Sequence, residues 1–197
     1  MKATEVMATP DTVPQGDIDR TIVNPIFKDV VTFLKRANET NGEYSNAEIT
    51  LLPGGRNVPH FHKAYTETFT ALHGHLGVKA AGKTIILKPG SSFTVPIGVV
   101  HHFFNPGQDA IRFSVTITPG FEGFEHMLRI LYGLARDGKT DKKGLPKDLS
   151  TIALLGEIGD TALPGVFRFL TPIFKLLAAG ARRRGEEKRL MSRYCRQ

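Results

Sequence analysis

Six of the seven histidines lie between residues 60 and 102, and their spacing carries the first sign of chemistry. In His60-Phe61-His62 the two imidazoles are separated by one residue. On a strand, alternate side chains point to one face, so both can reach a common point. Glu67 opens the next strand-like run and can bring a carboxylate to that point, and His101, from a strand near the end of the β-rich region, is the fourth candidate. Three neutral imidazoles and one carboxylate make a mixed nitrogen and oxygen site that suits one divalent transition metal: Fe, Mn, Ni, Cu or Zn. Four ligands on a six-coordinate ion leave two positions for water, oxygen or substrate, the requirement for catalysis. The competing reading is a set of buried polar residues satisfied by one another. The single cysteine, Cys195, excludes an intrachain disulfide and a cysteine-based zinc site.

The neighbouring residues read differently. Alternation turns His102 away from the face of His101, to the exterior or a second layer. His73 and His75 flank Gly74; they share parity with Glu67, but solvated turn residues are the preferred reading. Phe69 and Phe103 are expected to fill the interior, and either one lining a cavity favours an apolar or aromatic substrate. Lys63 and Tyr65 stand between the candidate ligands, within reach of the mouth of the site.

The elements that must position these residues follow from the pattern along the chain. Of 197 residues, 41% are hydrophobic and 23% charged, the balance of a globular protein. Residues 1–24 show no period and read as a flexible arm. From Val30 to Ile117, short β-branched and aromatic runs alternate with turn signals such as Asn41-Gly42, Pro53-Gly54-Gly55 and Pro89-Gly90. The strand-length runs are Val30–Leu34, Ala47–Leu52, Glu67–Leu72, Thr84–Leu87, Ser92–Val95 and Ile111–Thr118, which predicts a sandwich or barrel. After Pro119-Gly120 the period lengthens to that of a helix, with Phe121, Phe124, Met127, Leu128, Ile130, Leu131 and Leu134 on one face and Asp137-Gly138 as the stop. A lysine-rich loop covers 138–147. Asp148 is the expected N-cap of a helix from Leu149 to Ile158, and a last helical stretch from about Val166 to Arg184 is expected to break or bend at Pro172.

Gly54, five residues, His60-x-His62, four residues, Glu67, six residues and Gly74 resemble the first motif of the cupin superfamily. Gly90, five residues, Pro96-x-Gly98, two residues, His101, three residues and Asn105 resemble the second. The resemblance covers roughly residues 30–118, with a short gap at 75–89 as in small single-domain bacterial cupins. It implies an all-β double-stranded β-helix, a jelly-roll barrel at 25–118, with a C-terminal α-helical extension at 119–197. By motif position it makes His60, His62, Glu67 and His101 the metal ligands and Asn105 a structural residue. In oxygenase cupins the carboxylate at the position of Glu67 can also take a proton from the substrate, so Glu67 is the candidate catalytic residue. The start of the extension resembles, more loosely, the tails of quercetin dioxygenase-like bacterial cupins. The implied function is dioxygenase-type oxidoreductase chemistry on a small organic substrate. An isomerase or lyase using the metal as a Lewis acid, and a non-catalytic small-molecule binding module, stand as alternatives, because one barrel hosts many chemistries.

The net charge of +7 is uneven: residues 1–118 carry eleven Lys/Arg against ten Asp/Glu, and 119–197 carry fifteen against nine. The basic run Arg182–Arg184 is diluted by Glu186 and Glu187 and has no interleaved aromatics, which argues against a nucleic-acid partner. The apolar stretch before it would suit a helix lying on anionic lipid. The preferred reading packs it on the barrel or in a dimer interface, its terminal cations complementing the helix dipole. Small barrels with open sheet edges are commonly covered by a second copy, so a homodimer is expected. The first ten residues lack the apolar run of a secretory signal, which points to the cytoplasm.

Overall fold

The computed structural model describes residues 20–165 and 170–195. Eleven strands run through this part: β1 (Thr21–Asn24), β2 (Asp29–Lys35), β3 (Ser45–Leu51), β4 (Phe61–His62), β5 (Thr66–His73), β6 (Leu76–Ala80), β7 (Lys83–Leu87), β8 (Ser92–Val95), β9 (His101–Phe104), β10 (Ile111–Thr118) and β11 (Thr161–Ala162). The main sheet has the order β1-β2-β3-β10-β5-β8, faced by a three-stranded sheet β7-β6-β9 and a two-stranded ladder β11-β4. All pairings are antiparallel, and the arrangement is a double-stranded β-helix barrel.

Alternation decides what points inward. β10 buries Ile111, Phe113, Val115 and Ile117, while β3 buries Ser45, Ala47, Ile49 and Leu51. On β5 the inward set is Glu67, Phe69 and Ala71, so the one carboxylate shares its face with core residues. The outer face of the same strand is tied by hydroxyl pairs, Thr68 to Thr94 at 2.9 Å and Thr70 to Ser92 at 2.8 Å. Asn105 closes the second motif: its side-chain amide donates to the carbonyls of Leu51 and Asp109 and its oxygen accepts from Gly107 N–H. It acts as a turn residue.

Among the described residues, four α-helices lie in the C-terminal part: α1 (Glu122–Arg136), α2 (Leu149–Ile158), α3 (Thr171–Arg183) and α4 (Glu186–Tyr194). α1 lays Phe124, Met127, Ile130 and Leu134 into the same core as the barrel strands. Two polar pins fix it there. The buried carboxylate of Glu125 accepts from Ala37 N–H and Ser45 O–H, each at 2.7 Å, and Tyr132 O–H donates to Asp29 on β2 at 2.7 Å. Asp148 caps α2 through Thr151 N–H. Gly123 on α1 lies against the last turn of α2: an added Cβ would stand 2.0 Å from the Ile158 carbonyl oxygen. Only a residue without a side chain permits that approach, and it sets where the chain leaves α2.

One expectation changes. Thr21–Asn24, inside the stretch read as an arm, is a strand paired with β2; the remainder of that stretch lies outside the described residues. Pro172 stands in the first turn of α3, where its missing N–H is no loss. Of the stretch from Val166, residues 166–169 lie outside the described residues. α3 packs chiefly on α2 and on α4, burying Ala178 and Ala181 and exposing Ile173 and Leu176. Among the described residues, no helix is long and apolar enough to cross a membrane.

Candidate metal centre

The strands bring the two motif segments together backbone to backbone. His60 N–H donates to the His101 carbonyl at 3.0 Å and His101 N–H returns to the His60 carbonyl at 2.9 Å. Such a reciprocal pair holds the two side chains on one face. Gly98 N–H donates to the His62 carbonyl at 2.7 Å. The ring centroids of His60 lie 4.7 Å from His62 and 4.4 Å from His101. Glu67 arrives from β5. All four residues are buried, and one donor atom from each lies within 4.8 Å of the others.

Each imidazole is oriented from behind. The Nδ1–H groups of His60, His62 and His101 donate to the backbone carbonyls of Val58, Asp160 and Val99, at 2.8, 3.2 and 2.9 Å. A carbonyl can only accept, so the proton sits on Nδ1 and each Nε2 is presented to the centre. His62 Nε2 is 3.4 Å from Glu67 Oε2 but makes no hydrogen bond, a buried polar atom left without a partner. His101 Nε2 is 2.7 Å from the same oxygen. Burial lowers the pKa of His60 to about 3, with repulsion from His62 and His101 adding to it. For His101 burial pulls the same way, but the hydrogen bond and charge of Glu67 outweigh it and leave the group above its usual value. Burial also acts to raise Glu67; the hydrogen bond from His101, with the charge interactions of both histidines beside it, overcomes this and holds the carboxyl below the usual carboxylate range. A neutral imidazole with its lone pair aimed inward, an orphaned Nε2 and an ionised carboxylate are what a divalent cation requires. The residues present fit a metal ion.

Beside this group lies a cavity of about 90 Å³. Its walls are apolar, with Phe33, Ile49, Phe103 and Val115 from the barrel and Phe124, Met127, Leu128 and Leu131 from α1; His60 and Glu67 are among its few polar contributors. α1 therefore covers the mouth of the barrel.

The other residues singled out from sequence are placed clearly. Phe103 lines the cavity, whereas Phe69 is fully buried beside it, its ring 6.1 Å from His101. His102 faces outward, half-buried, where burial and then Lys79 and Arg56 lower its pKa. His73 and His75 are exposed, away from the centre. Tyr65 does not reach the mouth. It is buried behind His62, stacked at 4.3 Å between centroids, with its hydroxyl on the Gly159 carbonyl. Lys63 is exposed and lines an outer groove with Phe61 and Asp160. Sequence reasoning missed the α1 cavity residues as well as Gly159, Asp160 and Thr161. The helical period made α1 visible but not the barrel mouth it would cover, and a Gly-Asp pair after a helix signals only a turn.

Residues 47–118 match the family model for the cupin domain. Quercetin 2,3-dioxygenase of Bacillus subtilis (strain 168) is 30% identical over 96 residues, 49% of this chain and 28% of that one. Germin-like protein 8-6 of Oryza sativa subsp. japonica is 39% identical over 69 residues, 32% of this chain and 31% of that one. The chain thus spans about a third of the length of these curated relatives. Among solved structures, a predicted oxalate decarboxylase from Thermotoga maritima aligns over 46% of this chain and 80% of its own, at 22% identity and a TM-score of 0.45.

Proposed function

This chain belongs to the cupin superfamily, and from that premise we propose that it is a metal-dependent oxidoreductase of the dioxygenase type acting on a small organic substrate. His60, His62, Glu67 and His101 hold one divalent transition metal. The observation that carries the reading is the convergence of four donor atoms, one of them the unpartnered Nε2 of His62, at the wall of an apolar cavity. The similarity to a quercetin 2,3-dioxygenase supports the reaction class.

When bound, the ion supplies Lewis acidity and, if it is iron, manganese, nickel or copper, a redox couple. The chain's residues do the rest. Val58, Asp160 and Val99 hold the three imidazoles in one tautomer, and the apolar walls exclude water. Glu67 both faces the centre and lines the cavity, so its carboxylate is the group placed to accept a proton from a substrate bound there. A cavity of about 90 Å³ is small beside the ~300–1,000 Å³ of pockets that take drug-sized ligands. The substrate is therefore compact and largely apolar, or α1 moves to admit a larger one.

The test is metal content per chain beside the His60→Ala variant, followed by oxygen consumption. About one equivalent of a redox metal is expected, absent from the variant, and Glu67→Gln should keep metal while losing turnover. Zinc in the native protein would move the reading to an isomerase or lyase. No metal in either protein after reconstitution would overturn it.

A further inference from the structure

We propose that Asp160, in the turn after α2, is a positioning residue for this centre: it fixes the ring of His62, so the C-terminal extension is a working part of the site. The inference rests on His62 being a metal ligand. His60 and His101 take their orienting carbonyls from two residues upstream on their own segment, Val58 and Val99, whereas His62 takes its own from Asp160, 98 residues away. The same residue grips the backbone just beyond the ligand. One carboxylate oxygen of Asp160 accepts from both Lys63 N–H and Ala64 N–H, each at 2.6 Å. Around it, β11 pairs with β4 in the register Thr161 to His62 and Ala162 to Phe61. Tyr65, stacked on His62, donates its hydroxyl to Gly159. His62 is thus clamped from behind, from the side and along its backbone by residues 159–162. Asp160 has a φ of 46°, a left-handed conformation that Gly, Asn and Asp accept with little strain. The cupin domain match ends at residue 118 and contains none of this clamp.

That conformation chooses the variants. Asp160→Gly keeps the backbone geometry and deletes the carboxylate; Asp160→Asn keeps an oxygen that can accept both N–H groups. Two readouts apply. One is the dissociation constant of cobalt(II), by competition with a chelator; the other is the His62 tautomer in metal-free protein, from imidazole ¹⁵N resonances. Asp160→Gly keeps the main-chain carbonyl but frees the Lys63 and Ala64 N–H groups whose bonds to the carboxylate hold that carbonyl against His62. Cobalt binding should weaken by up to about ten- to a hundredfold, the effect of a lost outer partner, and His62 should no longer hold a single Nδ1–H tautomer. Asp160→Asn should restore both to within about twofold of the parent, as expected when the acceptor is kept. Tyr65→Phe, a milder cut that frees the Gly159 carbonyl, should shift both in the same direction by a smaller factor and stands in if Asp160→Gly does not fold. Asp148→Ala loosens α2 in the same extension without touching His62 and should leave both unchanged. Parental affinity and tautomer in Asp160→Gly would overturn the inference, as would an equal loss in Asp148→Ala. A parent that binds no cobalt would refute the ligand reading alone, and the tautomer comparison would still decide the role of Asp160.

Discussion

In the barrel, the inward side chains are chosen by a period of two. β10 contributes Ile111, Phe113, Val115 and Ile117 with no charged residue on that face. In the extension, α1 contributes Phe124, Met127, Ile130 and Leu134 by helical period, but it also sinks Glu125 and Tyr132 against the barrel, where they find Ala37, Ser45 and Asp29. The barrel is held mainly by ladders and apolar fill, and the extension is registered on it by polar contacts that work in one position only. Apolar packing tolerates sliding; a buried carboxylate with two donors does not. The difference explains how helices joined by a lysine-rich loop come to place Asp160 within hydrogen-bonding distance of His62.

If the two regions share one core, cutting either should unfold both. Phe113→Ala in the barrel should cost about 3–5 kcal/mol and Ile130→Ala in α1 about 2–5 kcal/mol, both in a single transition by denaturant melts. A barrel signal unmoved by Ile130→Ala would break the comparison and make the extension an appendage. The Asp29–Tyr132 contact sharpens it with pH. Burial pushes the Asp29 carboxyl from 3.8 up to about 7, against hydrogen bonds that pull it down. Near pH 3 both states carry the proton. Between about pH 4 and 7 the unfolded chain releases it while the folded chain keeps it, so stability falls as pH rises, by up to about 4 kcal/mol. Asp29→Asn should flatten that slope; an unchanged slope would assign it elsewhere. Smallest is the pin at Glu125. Glu125→Ala strands two buried donors and should cost about 2 kcal/mol, with Glu125→Gln losing less because it can still accept.

The same division governs what could be read from the sequence. Strands with clean alternation, such as Ala47–Leu52 and Ile111–Thr118, lie close to β3 and β10, and the two motifs point to the four residues that converge. β6 does not stand out in the sequence because Gly77 weakens its pattern; that glycine answers to a neighbour, since an added Cβ would stand 2.4 Å from the Phe104 ring. The β1 strand is too short to show a period. The last helix, Glu186–Tyr194, reads as charge dilution and is organised by Leu190 and by Tyr194 and Arg193 on Asp137. Asp160 could not be found at all, because hydrogen bonds to backbone atoms leave no trace in the identity of the partner.

The separation of His62 from Asp160 also imposes an order in time. A ribosome adding about 5–20 residues per second finishes His62 several seconds before it makes Asp160. Once His101 has been added, the nascent barrel has two of its three histidines with their orienting carbonyls already built and one waiting. Synthesis itself therefore delays completion of the centre until the helices that cover it have been made.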